Sequence, residues 1–313
     1  MSELILHHYA GSPFSEKVRL VLGMKRLAWR SVDVPVVMPK PDVIALTGGY
    51  RRTPFLQIGA DVYCDTALIC RVLDRLAPEP PLYPASAGGV APMIAQWADA
   101  ALFWAAVPYT TMQPKGMAHI FAGVPPEAVQ QFAADRAAMT QGRPRPALAD
   151  CHAQVVTYCG WIETQLADGR PFLCGEAPCI ADFSIVQSVW FIRRAPPVAV
   201  VLEPYPVLRA WADRVTALGH GTSQPMSSAD AIALAAASTA DADGLPFDPG
   251  ASFERLARVT ATPTDYACDP VEGELVGLSD DSISLRRDSE RTGRVVVHFP
   301  RIGFQIRRVD TAA

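Results

Sequence analysis

A hydroxyl side chain stands near the start of the chain, where a short apolar strand passes into a helix. The strand is predicted from Leu4 to His8, and the helix opens with Ser12-Pro13-Phe14-Ser15. Serine is a favoured N-cap residue and proline suits the first helical position, so free amides and the positive end of the helix dipole gather at the Ser12 side chain. The sequence therefore predicts that an anion can be held beside the Ser12 hydroxyl.

Two further segments supply groups that could bind a polar ligand. Thr53-Pro54 precedes the apolar run 55–58, and a cis X-Pro bond at this strand entrance would expose the Thr53 backbone. After a short hairpin, Asp65 and Thr66 begin a helix whose apolar residues keep a helical spacing. A helix N-terminus of this kind suits a carboxylate.

Together these segments resemble the serine-type classes of the glutathione transferase superfamily, over roughly the first two thirds of the chain. The resemblance implies that glutathione is the cofactor and that Ser12 is the catalytic residue. A free thiol titrates near about 8.5, and only its thiolate attacks well. A hydrogen bond from Ser12 and the helix dipole, about 1 kcal/mol each, are enough to favour the thiolate near neutral pH. Ser12 would thus activate the thiol without being the nucleophile.

The same resemblance implies roles for five further residues in holding glutathione. Pro54 would be the family's cis-proline, the Thr53 backbone would pair with the cysteinyl part, and Arg52 would meet the glycyl carboxylate. Asp65 and Thr66 stand where the family has a Glu-Ser pair that binds the γ-glutamyl end. Aspartate is one methylene shorter than glutamate, and threonine carries one methyl group more than serine.

Tyr9, at the end of the first strand, is a rival thiol activator, because tyrosine serves in other classes of the superfamily. Serines stand at the N-terminus of the helix, where thiol-disulfide exchange would need cysteine. A glutaredoxin-like redox activity is therefore not expected. By analogy, the second substrate would lie between the Ser12 loop and the first long helix of the next domain. The expected lining, which indicates an apolar electrophile, is Tyr9, Phe14, Trp104, Tyr109 and Met112.

Composition agrees with a cytoplasmic protein. The 313 residues are half hydrophobic and can bury more than one core, and the first residues lack a signal-peptide charge pattern. A formal charge of -4 without an extended basic run argues against a nucleic-acid partner, and no stretch is expected to reach the ~18 apolar residues that span a membrane. Seven scattered cysteines without zinc-ligand spacing predict reduced thiols and no metal site.

The chain is expected to divide into three parts. Residues 1–80 predict an α/β thioredoxin-like domain, which ends at a proline-rich linker. Residues 90–220 keep a helical periodicity and predict an all-α helical domain, in which Asp182 would cap a helix within a segment that resembles the transferase family. Residues 221–313 begin with a short helix and continue with stretches that alternate apolar and polar residues, which predicts a small mainly-β domain, an antiparallel sheet or barrel appended to the rest of the chain.

Two functions from different classes remain open. The first is a glutathione transferase that adds the thiol to an electrophile, or uses it in isomerisation or reductive cleavage. The second is a non-catalytic binding or scaffolding protein whose β extension docks a partner. Retention of Ser12, Pro54 and Asp65-Thr66 together favours the enzyme. The resemblance also implies a twofold homodimer.

Overall fold

The structure is a computed structural model that describes residues 3–240, 242–248 and 252–309. Its first part is an α/β domain, as predicted. The elements are β1 (Ile5–His8), α1 (Pro13–Met24), β2 (Ala28–Asp33), α2 (Pro41–Thr47), β3 (Phe55–Ile58), β4 (Asp61–Cys64) and α3 (Thr66–Leu76). Strand β1 is parallel to β2, whereas β3 is antiparallel to both β1 and β4. The starts of α1 and α3 lie close together, because Lys17 of α1 donates a hydrogen bond to Thr66 of α3 at 3.3 Å.

Local capping explains where these two helices begin. The Ser12 side chain accepts a hydrogen bond from the Ser15 amide at 3.2 Å, and Pro13 occupies the first position of α1. The Asp65 side chain accepts a hydrogen bond from the Ala67 amide at 2.9 Å and so caps α3. Both caps are the ones that the sequence predicts.

The second part is all-helical, as predicted. Its elements are α4 (Val90–Trp97), a π-helical segment (Ala98–Leu102), α5 (Phe103–Thr111), α6 (Pro114–Ile120), α7 (Pro126–Met139), α8 (Leu148–Leu166), α9 (Ile180–Arg193), α10 (Pro196–Ala199) and α11 (Pro206–Thr216). Helix α9 is the buried centre of this domain and contacts α1 of the α/β domain. The Asp182 carboxylate accepts hydrogen bonds from the Cys179 amide, the Leu173 amide and the Trp211 indole, which confirms its capping role.

The run Val90–Thr111 continues through α4, the π-helical segment and α5 as 22 residues, and by length and composition alone it is apolar enough to cross a membrane. The sequence-based prediction that no stretch would reach this length was therefore wrong. Core helices of globular proteins pass the same test, and this run packs against α8 and α9.

The C-terminal extension is strand-rich, as predicted, but its strands do not form a separate sheet. The elements are β5 (Thr222–Pro225), α12 (Ser228–Ala236), β6 (Arg258–Pro263), β7 (Val271–Leu278), β8 (Ser282–Ser289), β9 (Gly293–Pro300) and β10 (Phe304–Arg308). Strand β9 pairs in parallel with β4, and β5 pairs in parallel with β2. The result is one ten-stranded sheet in the order β10-β6-β7-β8-β9-β4-β3-β1-β2-β5.

Side chains on both faces of β9 explain why it adds to β4. Val295, Val297 and Phe299 are buried in the same apolar cluster as Ile5 and Phe55 of the α/β domain. The alternate residue His298 stacks on Tyr63 of β4 at 4.5 Å. Its Nε2 lies 2.9 Å from Asp61 Oδ1, and its Nδ1 lies 2.8 Å from Ser284 Oγ. The extension and the α/β domain thus share one core and one sheet.

Candidate functional site

A cleft of about 440 Å³ lies where the α/β domain, the helical domain and the extension meet. This volume falls within the usual range for small-molecule sites, about 300–1,000 Å³. The cleft walls come from the start of α1, the loop before β3, the start of α3, helix α4 and three loops of the extension. The sequence-predicted residues on these walls are Phe14, Arg52, Thr53, Pro54, Asp65 and Thr66.

Ser12 itself is buried and is not among the residues that line the cleft, whereas Phe14, two positions later, lines it. Its oxygen accepts the bond from Ser15, while the Ser12 hydroxyl proton has no acceptor among the described residues. The loop before Ser12 is fixed from the helical domain, because Arg194 Nη1 donates to the Gly11 carbonyl at 2.8 Å. The hydroxyl is therefore held in place with one donor function to spare.

The peptide bond between Thr53 and Pro54 is cis, as the sequence predicts. Within the described chain, neither the amide nor the carbonyl of Thr53 has a hydrogen-bond partner, and its buried hydroxyl has none. Buried polar groups are normally satisfied, so an unpaired backbone in a cleft wall is suited to pairing with a bound ligand.

Lys17 is a site residue that sequence reasoning missed. Its Nζ donates to Asp99 Oδ2 at 2.5 Å and to Thr66 Oγ1 at 3.3 Å, and all three residues line the cleft. Burial is the largest single influence and would lower the pKa of Lys17, but Asp99, Cys70 and Asp65 together outweigh it and the pKa is raised. Burial raises the pKa of Asp99, and Lys17 opposes this rise. Lys17 stands five positions after Ser12 in the same motif. This position was the feature of the sequence that could have identified Lys17 as a site residue.

Arg52 contacts the C-terminal extension. Its Nη2 lies 2.5 Å from Asp265 Oδ1 and also donates to the Tyr266 carbonyl, while its guanidinium carbon lies 3.8 Å from the centre of the Tyr266 ring. Burial raises the pKa of Tyr266 to about 12, so this phenol is neutral at physiological pH. The role of Arg52 towards a glycyl carboxylate stays a prediction, since Asp265 already occupies the guanidinium.

The structure does not gather the five predicted acceptor-pocket residues around this cleft. Phe14 lines it and packs on Phe103 at 4.5 Å, and Trp104 lies behind Tyr266, edge to face at 5.2 Å. Tyr109 is buried beside His152, and Met112 is exposed at the end of α5. Tyr9 is partly buried, and its carbonyl accepts from the Ser12 amide at 3.2 Å.

Loops of the extension supply walls that no local sequence pattern indicated. Asp265 and Tyr266 come from the β6–β7 loop, residues 280–281 from the β7–β8 turn, and Ile302 and Gly303 from the β9–β10 turn. These residues reach the cleft only because β9 adds to β4. Their contribution could not be read from the sequence without that pairing.

The fold agrees with what known proteins show. Residues 6–81 match the family model for the glutathione S-transferase N-terminal domain, and residues 145–214 match the model for its C-terminal domain. A GST-like protein from Pseudomonas syringae, of known crystal structure, is 40% identical with a TM-score of 0.80, over 99% of this chain and 100% of that chain. The chain therefore belongs to the glutathione S-transferase family, and the similarity includes the extension.

More distant structures share the fold. A glutathione S-transferase from Rhodospirillum rubrum F11 is 24% identical with a TM-score of 0.52, over 68% of this chain and 87% of that chain. One from Methylobacterium radiotolerans, solved in complex with glutathione sulfonate, is 20% identical with a TM-score of 0.51, over 72% of this chain and 98% of that chain. No curated protein matches the chain.

Proposed function

We propose that this protein is a serine-type glutathione transferase that binds glutathione in the cleft and joins its thiol sulfur to an apolar electrophile. The observation that carries the proposal is the unpaired backbone of Thr53 beside the N-terminus of α3. These groups match a γ-glutamyl-cysteinyl ligand, whose amide needs an extended partner and whose α-carboxylate suits free helix amides. The relative that was solved with glutathione sulfonate supports this ligand class.

In this proposal the γ-glutamyl carboxylate lies at the Thr66 amide and hydroxyl, and the γ-glutamyl ammonium lies at the Asp65 carboxylate. Both residues line the cleft. The cysteinyl amide pairs with the Thr53 backbone, which directs the sulfur towards the start of α1. Each residue thus serves the ligand group that its charge and hydrogen-bonding capacity fit.

Ser12 stabilises the thiolate. The thiol proton leaves to solvent, and the spare Ser12 hydroxyl proton is donated to the sulfur at the positive end of the α1 dipole. The sulfur lone pair then forms the bond to the electrophilic carbon, and the leaving group departs with the electrons of the broken bond. Apolar residues around the mouth, Met93 and Ile302 among them, suit an apolar electrophile.

The alternative is a non-catalytic binding or scaffolding protein. The ion pair between Arg52 and Asp265 favours this alternative, because the Asp265 carboxylate occupies a guanidinium that would otherwise bind a ligand carboxylate. The unused donors of Ser12 and Thr53 favour the enzyme, since a scaffold has no need of them.

We also propose a cytoplasmic homodimer. An apolar surface on the helical domain runs from Val90 and Met93 along α4 to Trp97, and on to Tyr158 and Trp161 of α8. Trp161 is 60% exposed and Met93 is 64% exposed. Exposed apolar patches of this kind mark interaction sites, and the commonest soluble partner is a second copy of the chain.

The test is calorimetric titration with reduced glutathione at two pH values below the free thiol pKa. S-methylglutathione, which has the same charges but no thiol proton, is the matched control. We expect glutathione to bind with proton release and S-methylglutathione to bind without it. Binding of both without proton release would favour the scaffold, and no binding of either at millimolar concentration would overturn the proposal.

A further inference from the structure

Among the described residues, every basic side chain on the cleft wall is already paired with a carboxylate of the same chain. The wall carries three basic and five acidic side chains. The cleft is therefore richer in negative than in positive charge before any ligand enters. The three ion pairs are Lys17–Asp99, Arg52–Asp265 and Arg71–Asp281.

Two of the three paired carboxylates belong to the C-terminal extension. Asp265 lies between β6 and β7, and Asp281 lies in the turn between β7 and β8. The neighbouring Asp280 also lines the cleft and adds a further negative charge. The extension thus changes the charge of a site whose hydrogen-bonding groups come from the α/β domain.

The backbone around Asp265 is held in place by contacts with the helical domain. The Asp265 carbonyl accepts from Arg143 Nη1 at 2.9 Å, and the Ala267 amide donates to the Met139 carbonyl at 2.6 Å. Between them, the Tyr266 ring packs under the Arg52 guanidinium. A group tethered next to its partner acts at an effective concentration of about millimolar or above. A free ligand carboxylate must compete with it for Arg52.

We infer that the extension selects the charge of the thiol ligand. Because Asp265 occupies Arg52, the cleft favours a γ-glutamyl-cysteinyl thiol whose C-terminal carboxylate is masked as an ester or amide over glutathione with that carboxylate free. The inference rests on the proposed function, since it assumes that the γ-glutamyl and cysteinyl parts bind as described above. The masked ligand keeps those contacts and brings no second carboxylate into a cleft with excess negative charge.

The experiment compares reduced glutathione with its glycyl monoethyl ester by calorimetry, on the full chain and on Asp265→Asn. We expect the ester to bind the unmodified protein more tightly than glutathione. Asp265→Asn should raise the affinity for glutathione about tenfold, the value of one charge-assisted hydrogen bond, and leave that for the ester within about twofold. Asp269→Asn, an exposed change in the same loop, is the matched control and should alter neither affinity.

Tighter binding of glutathione than of the ester by the unmodified protein overturns the inference and leaves the proposed function standing. An unchanged glutathione affinity in a folded Asp265→Asn protein does the same. If that variant does not fold, the ratio of the two affinities in the unmodified protein decides. Failure of both thiols to bind overturns the proposed function, and the inference with it.

Discussion

Lys17 Nζ lies 2.5 Å from Asp99 Oδ2, and this ion pair joins the first helix of the α/β domain to the π-helical segment of the helical domain. The Lys17 side chain is 1% exposed, and that of Asp99 is 19% exposed. Asp99 Oδ1 also accepts from Gln187 of α9 at 2.7 Å. One buried pair thus contributes both to the cleft wall and to the contact between the two domains.

Lys17→Met should destabilise the protein by about 3 kcal/mol, because removing one partner leaves a largely buried carboxylate without its cation. The measurement is urea unfolding followed by circular dichroism. The double variant Lys17→Met/Asp99→Asn removes both charges and should recover most of the loss. A double variant as unstable as the sum of the two single variants would show that the pairing itself contributes nothing.

Ser12→Ala should lower turnover with an electrophilic substrate at least about a hundredfold, while glutathione binds within about threefold of the unmodified protein. The variant also loses an N-cap, about 1 kcal/mol of stability. Ser15→Ala is the matched control, since the Ser15 amide still donates to Ser12 and its own buried hydroxyl has no partner. Unchanged turnover in Ser12→Ala would transfer the role to Tyr9, to be checked with Tyr9→Phe.

Acid should unfold the protein partly through His7. Burial lowers the pKa of His7 from 6.5 to about 4, although the hydrogen bond to Gln57 opposes this. Between these two values the unfolded chain binds a proton that the folded chain does not, so stability falls as pH falls from 6.5 to 4. The loss is about 1.4 kcal/mol per pH unit, or about 3 kcal/mol in total.

The measurement is the free energy of unfolding at several pH values between 4 and 7. His7→Phe keeps a ring against Phe55, 4.2 Å away, and removes the titrating group. We expect this variant to be less stable at pH 7, because Gln57 loses a hydrogen-bond partner. The slope of its free energy of unfolding against pH should be smaller by the equivalent of about one proton. Equal slopes in the two proteins would refute the assignment.

Trp161→Glu should weaken the proposed dimer, because it places a charge in the apolar surface shared by α4 and α8. Analytical ultracentrifugation across protein concentrations gives the dissociation constant. Val200→Glu is the matched control, since Val200 is 54% exposed at a different place on the helical domain. The proposed surface is wrong if only the control variant dissociates, or if neither does.

Much of the first two thirds of the fold and the cap of each site helix could be predicted from the sequence. The Ser12 cap, the cis bond before Pro54 and the Asp182 cap depend on residues a few positions apart, so their patterns are visible in the chain. The strands β7 to β10 were also visible as alternating runs. Helices α6 and α7 and strands β5 and β6 were not predicted, since short or exposed elements carry weak periodicity.

By itself, the sequence determined the helix caps and many elements of the first two thirds of the chain, because short-range hydrogen bonds and apolar periodicity decide local structure. The family followed from the resemblance of its motifs, and the glutathione-binding residues stay a prediction. Only the tertiary structure decided that β9 joins β4 and that Asp265 meets Arg52, a residue 213 positions away. Strand pairing depends on which apolar faces bury each other across the whole chain, and that complementarity has no local pattern. The charge of the cleft, and with it the proposed choice of ligand, follows from that pairing.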